Sequence, residues 1–513
     1  MINPLNKFVI VGGGTSGWCS AIALLKKIEN VEVVLVDKEE DDQIGVGEAT
    51  ILNGFDHFMT EYCGFPELNW KIELDAVPKA GILFPAWGKE GNEIWHPFVF
   101  PMADPEQNIS MVDALSHFPE LNYKDYLPLY YSALDNRVDI ADMGAYAWHI
   151  DCLKLIRYIE KYIKKTYPNF THIRSTVKNI NRLEDGTITS LVCDNEQTID
   201  GDFFVDCSGF KSILKENRDT VSLKDRLFVD TAIAGHVQYA DGFSHKKHAF
   251  QQYNQPWPFV ECPAVEHGWV WKIPLKSRIG TGMVFNRNIT DIEEAKDYFV
   301  NYWDNRIDRD KLRPIPWSPY YDRTPWHKNV VSIGLSSGFI EPLESTGVAL
   351  ILGGVTNFVK IIQGEYFDDF TSDIYNTQVR HVFETCVDFV SMHYNLSERN
   401  GKFWNYVRDT WKPSSYHELM ANNFNSSNKS ISDTRQSTMF TESNWQCWMT
   451  QLGYPLKPKV NPSRDHSNNC LKKWIDFSLQ LARTTEHTLL SEYLKEYRST
   501  GFGTHYFSPG QQR

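Results

Sequence analysis

This sequence predicts an α/β fold on three observations. A glycine-rich turn sits between an apolar strand and a helix at residues 7–25, a second apolar strand ends in Asp37, and two more apolar strands appear near residues 203 and 330. Lys7, Phe8, Val9, Ile10 and Val11 form a short apolar strand. Gly12, Gly14 and Gly17 follow, and residues 20–25 then read as a helix. Gly12 permits the tight turn, Gly14 lets a pyrophosphate approach the backbone, and Gly17 lets helix and strand pack closely. The helix N-terminus offers free N–H groups and a positive end to phosphates, and Thr15, Ser16 and Trp18 beside these glycines are expected to bind the cofactor. Residues 31–36 form the second strand, and Asp37 stands where an adenosine ribose donates hydrogen bonds, which argues against a 2′-phosphate.

The later strands decide between dinucleotides. Phe203, Phe204 and Val205 lead into Asp206, Cys207, Ser208 and Gly209, and residues 330–333 lead into Gly334. Two such returns are typical of FAD proteins whose nucleotide domain is interrupted by a substrate domain. The expected architecture is therefore an FAD-binding Rossmann-type domain of the glutathione-reductase kind, with inserted sheet elements and a mostly helical C-terminal substrate lobe. At 513 residues the chain exceeds what one core usually organises. Residues 1–410 are expected to form the body, with substrate-side segments inserted at about 51–130, and 411–513 the lobe.

Composition narrows the function. A net charge of −13 with no Lys/Arg-rich block argues against nucleic acid, whose phosphates demand cations. The 14% aromatic share suits a site for flat, apolar ligands. The N-terminus lacks a signal-like apolar segment, and no run of about 20 apolar residues suggests a membrane span, so a cytoplasmic enzyme is expected. Nine cysteines are scattered singly, without metal-ligand spacing, so no metal is expected.

Further motifs lie in line with these elements: Ile44 to Thr50 (IGVGEAT), Lys79, Asp206 to Phe210 (DCSGF), Trp269 to Pro274 (WVWKIP), and Gly338 to Gly347 (GFIEPLESTG). Together they resemble the flavin-dependent halogenases, the family that includes the tryptophan halogenases, over about residues 8–350. The resemblance implies that reduced FAD, supplied by a separate NAD(P)H-dependent flavin reductase, reacts with oxygen to a flavin peroxide that oxidises chloride, bromide or iodide. The resulting hypohalous acid then travels to a lysine beside an aromatic substrate. Lys79 matches that lysine. The resemblance also assigns Gly47, Ala49, Val177, Leu335 and Val348 to the cofactor, makes residues 44–50 a strap over the flavin, and implies a homo-oligomer.

The residues themselves support these roles. Lys79 lies in an apolar stretch, where burial lowers an ammonium pKa. It either polarises hypohalous acid by a hydrogen bond or becomes a haloamine. Glu344 matches the carboxylate that stabilises the ring cation and removes its proton. Glu341 competes on chemistry alone, and Ser345 is expected to tune Glu344 by hydrogen bonding. Thr346 and Gly347 open an apolar helix whose N-terminus suits a halide. Trp269 and Trp271, two residues apart, share one side of a strand. By resemblance, with Pro274, they form a wall that keeps organic substrate from the flavin; the plain alternative is a buried strand.

The substrate is less sharply marked. His96 and Phe98 resemble the pair that sandwiches an indole, although a core corner reads almost as well. The tyrosine pair and glutamate that hold free tryptophan in the family are not found. Residues 421–430 read instead as an Asn/Ser-rich loop, which favours indoles or phenols over free tryptophan. Trp445 and Trp448 either line the pocket or pack the core. An FAD-dependent aromatic monooxygenase is the alternative function.

Overall fold

The computed structural model describes residues 5–38, 48–52, 54–88, 91–139, 145–216, 218–240, 255–363, 369–425, 439–454, 458–484 and 487–499. A six-stranded sheet runs in the order Phe170–Arg174, Glu32–Asp37, Lys7–Val11, Phe203–Asp206, Val330–Ser332 and Trp326–His327. The first five strands are parallel and the last is antiparallel. Val11 lies beside Val36 on one side and Asp206 on the other. The glycine turn, Asp37 and the Asp206 turn therefore open at one carboxyl edge, where such sheets bind ligands.

Both faces are covered, as the unbroken apolar strands require. Phe8 and Ile10 face a core with helices Thr15–Lys27, Cys152–Thr166 and Thr346–Ile362. Val9 and Val11 face an antiparallel meander, Val177–Arg182, Ile188–Cys193 and Thr198–Asp200.

A second sheet of eight strands has Gly268–Pro274 at its centre, buried along its whole length and paired with Ile279–Phe285. Its far edge is formed by Gly81–Pro85 and Glu93–Pro97. A small antiparallel sheet, Glu48–Ala49, Ala147–Ile150 and Val77–Lys79, adjoins these layers and places Lys79.

The C-terminal segment is mostly helical: Ser415–Asn425, Glu442–Leu452, Arg464–Leu481 and Leu490–Ser499. It shares a core with the inserted segment, since Trp95, Met111, Cys470, Leu471 and Leu490 belong to one apolar cluster. The Gln451 side chain both accepts from Trp95 N and donates to Trp95 O, at 3.0 Å each. His466 bonds Asp104 at 3.0 Å and lies 3.5 Å from Cys470, which ties helix Arg464–Leu481 to the insert. Strand His487–Leu489 pairs with Arg137–Asp139. The loop expected from residue 421 starts later, because residues 421–425 are the last turn of a helix; 426–430 lie outside the described residues. Among the described residues, no helix is long and apolar enough to cross a membrane.

Candidate active site

The nucleotide end fits a pyrophosphate. Gly12 has φ 114°, and a Cβ there would fall 2.1 Å from the Cys207 carbonyl oxygen, so turn and strand can meet only through glycine. A Cβ at Gly14 would meet nothing within 4 Å; this residue faces open space at the start of helix Thr15–Lys27, which has no side-chain cap and no acid in its first turn. Free N–H groups and an approachable backbone are what a phosphate needs. Asp37 accepts from His172 at 2.9 Å and Arg174 at 3.0 Å, and its remaining lone pairs suit a ribose.

The other expected cofactor residues fall in different settings. Thr15 and Ser16 lie in the first helical turn, and Leu335 stays 37% exposed beside the Asp206 turn, open to a ligand. Val177 starts the meander, Val348 is buried in the first turn of helix Thr346–Ile362, and Ala49 is buried in the small sheet. Trp18 is 1% exposed and packs against Phe170 and His172, so its ring anchors the helix in the core. Gly47 lies outside the described residues.

Lys79 ends a short strand and is fully buried. Its Nζ donates to the Thr50 carbonyl at 2.8 Å and stands 5.3 Å from the Phe98 ring centroid. Burial lowers its pKa to about 7, against the upward pull of Glu344.

Glu344 is equally buried but differently served. Oε2 faces His96 Nδ1 at 2.8 Å, and Oε1 accepts from Trp448 Nε1 at 3.1 Å and bonds His393 Nε2. Burial pushes the carboxyl up, and the two histidines outweigh it, holding it at about 2. The protons can be counted. Thr441 donates through its N–H and hydroxyl to Asn444 Oδ1, so the Asn444 amide nitrogen donates to His96 Nε2, at 2.9 Å. His96 therefore carries its proton on Nδ1 and donates to Glu344. His393 has the Phe389 carbonyl 2.8 Å from Nδ1 and the carboxylate at Nε2, acceptors on both sides. Burial lowers the pKa of His393, against the upward pull of Glu344.

The structure separates Glu341 from this role. It accepts from Tyr394 at 2.6 Å, which in turn accepts from Trp269 Nε1 at 3.1 Å. Burial raises Glu341 to about 8, so it is an uncharged acid near neutrality. Trp269 and Trp271 stand 6.2 Å apart on one side of their strand, as expected. A Cβ at Gly282 would fall 2.1 Å from the Trp271 ring, so glycine there makes room for it. Ser345 is a correction: among the described residues it makes no hydrogen bond to Glu344, and its φ of 59° turns the chain into helix Thr346–Ile362. At that helix start, the Thr346 hydroxyl is buried without a partner among the described residues, and a Cβ on Gly347 would meet nothing within 4 Å.

Comparison with known proteins decides the family. The sequence profile of the tryptophan halogenases matches residues 7–467. The chain belongs to the tryptophan halogenase family. The tryptophan 6-halogenase SttH of Streptomyces toxytricini is 30% identical over 443 residues, 78% of this chain and 80% of its own. The tryptophan 6-halogenase ThaL of Streptomyces albogriseolus is 29% identical over 431 residues, 79% of each chain. Among solved structures, BrvH, a flavin-dependent halogenase from Brevundimonas sp. BAL3, shares the fold with a TM-score of 0.84, 24% identity and coverage of 96% of this chain and 99% of its own. The protein is thus a flavin-dependent halogenase, and the monooxygenase alternative falls away.

In this halogenase the structure brings together Lys79 with Phe98 and, separately, Glu344 with His96. Sequence reasoning missed His393, Asn444 and Thr50. Of the two tryptophans left open, Trp448 belongs to the site and Trp445 to the core, where it packs on Phe389, Tyr416 and His417. A signal for His393 was present in its neighbour: His393 and Tyr394 put two polar rings in succession just past the end of helix Asp369–Met392.

Proposed function

We propose that this halogenase transfers an electrophilic halogen to an indole- or phenol-type ring held between Lys79 and Glu344. The observation that carries this reading is the pairing of a buried amine poised near neutrality with a buried carboxylate kept ionised, within an aromatic surround of Phe98, His96, Trp448 and Phe389. Bound reduced FAD supplies, with oxygen, the oxidising power that turns a halide into hypohalous acid, and a separate flavin reductase renews it.

The protein's own residues do the rest. Thr346 and Gly347 offer a hydroxyl, backbone N–H groups and a positive helix end to chloride, bromide or iodide. Lys79 donates to the oxygen of the hypohalous acid. As the ring π electrons form the carbon–halogen bond, the oxygen–halogen bond breaks, and the oxygen takes a proton from the ammonium and leaves as water. Glu344 faces the ring cation and accepts its proton, which the strong acidity of such a cation allows even to a carboxylate with low pKa. Trp269, Trp271 and Pro274 are the packed wall between this chamber and the flavin. The tryptophan named in the relatives supports an indole ring; the missing tyrosine pair and glutamate count against free tryptophan.

The test combines the protein with FAD, an NADH-dependent flavin reductase, oxygen, each halide, and a panel of indoles and phenols. Halogenated products by mass spectrometry are expected; products carrying only inserted oxygen would sink the reading.

A further inference from the structure

His149 has no part in the roles above, yet it is fully buried beside Lys79. In the small sheet Ala147 lies opposite Lys79, and His149 lies opposite both Val77 and Ala49. Partners in an antiparallel ladder share a face, as do residues two apart along a strand. Ala49, His149, Val77 and Lys79 therefore share one face, with His149 diagonal to Lys79, a spacing of about 7–8 Å that long side chains reach across.

The tautomer of His149 is fixed. Its Nδ1 lies 3.1 Å from the carbonyl oxygen of Pro274, which only accepts, so Nδ1 carries the proton. Nε2 is then a lone pair, buried and without a hydrogen-bond partner among the described residues. Leaving such an acceptor unmet costs free energy, so its persistence beside the reactive lysine calls for an occupant. Lys79, for its part, spends one N–H on Thr50 and has no hydrogen bond to His149. An acceptor and a spare donor thus stand on the same face of the small sheet, close enough for Lys79 to act on the His149 charge. A small molecule with one O–H and one accepting oxygen matches both.

We propose that His149 is a second holder of the hypohalous acid: Nε2 accepts the acid's O–H while Lys79 donates to its oxygen, leaving the halogen end turned toward the substrate. Burial and the neighbouring Lys79 keep the imidazole pKa well below its usual value, so the lone pair is present at working pH. His149 gains and loses no proton; it fixes orientation and retains an oxidant that would otherwise escape. This inference rests on the halogenase reading of Lys79.

Two variants test it in the full-length protein, run with FAD, flavin reductase, NADH, oxygen, bromide and the best-brominated member of the indole and phenol panel, with a β-diketone to trap escaped oxidant. His149→Asn keeps a donor for the Pro274 carbonyl and removes the acceptor; His149→Gln places an amide oxygen near the position of Nε2. In His149→Asn, brominated product is expected to fall about tenfold, as for loss of one hydrogen bond to the reacting acid, while trapped oxidant rises and FAD binding holds. His149→Gln is expected to recover most of the product. Bromination and escape both unchanged in His149→Asn would overturn the inference and leave Nε2 as the partner of a buried water. Equal loss of product, trapped oxidant and FAD binding in both variants would overturn it in favour of a packing role. An unaltered enzyme giving neither brominated product nor trapped oxidant would overturn the halogenase reading, and this inference with it.

Discussion

Lys79 and Glu344 are buried to the same degree, and the protein treats them in opposite ways. Lys79 receives one backbone carbonyl, so desolvation wins and its charge becomes negotiable near pH 7. Glu344 receives donors from His96, His393 and Trp448, so its charge survives burial. A group that must pass a proton is left under-supplied with partners, and a group that must stay an anion is over-supplied. Hydrogen-bond supply, more than depth, sets what each residue can do.

The contrast can be broken from either side. Lys79→Ala is expected to cut halogenated product by about 10³-fold, in the range for loss of a positioned proton donor, with oxidant still trapped outside the enzyme. Unchanged product would remove Lys79 from the chemistry. Glu344→Gln should slow substitution by about 10²-fold, since the ring cation loses its counter-charge, without lowering oxidant formation. If oxidant formation falls equally, the carboxylate is structural.

Titration sharpens the difference. Lys79 is charged below about 7 and neutral above, so a rate that needs the ammonium should fall roughly tenfold per pH unit as pH rises past that point, measured with trapped oxidant in parallel. A rate that climbs through the same range would show that the free amine, as in a haloamine route, is the working form. On the other side, His393→Gln should lower turnover about fivefold to tenfold and raise the apparent pKa of Glu344, moving an acidic limb of the rate profile upward. The smallest effect is expected for Trp448→Phe, about 1 kcal/mol or a fewfold change, because two donors remain.

How far the sequence reached follows the same division. The nucleotide turn is local: Gly12, Gly14, Gly17 and Asp37 lie within 26 residues, and strand pairing leaves them little freedom. Lys79 was legible through its apolar neighbours and the family motif. His393 was not, because its partnership with Glu344 spans 49 residues and depends on how one helix end packs on another turn. Asn444 reaches the site by donating to His96, while its oxygen takes part in a cap with Thr441 that in sequence marks only a helix start. Ser345 shows the opposite failure: beside the key acid in sequence, it is spent on a backbone turn. In the Asn-rich stretch polar composition points to a loop, whereas its first residues complete helix Ser415–Asn425.

Trp448 has a further consequence. It reaches Glu344 from a helix 104 residues further along the chain, and Asn444, which fixes the His96 tautomer, comes with it. A nascent chain that has emerged only as far as the nucleotide domain already contains the carboxylate but not these two members of its guard. Until the late helix docks, Glu344 lacks its Trp448 donor and His96 lacks the Asn444 contact. The hydrogen-bond set of the carboxylate is therefore complete only once helix Glu442–Leu452 is in place.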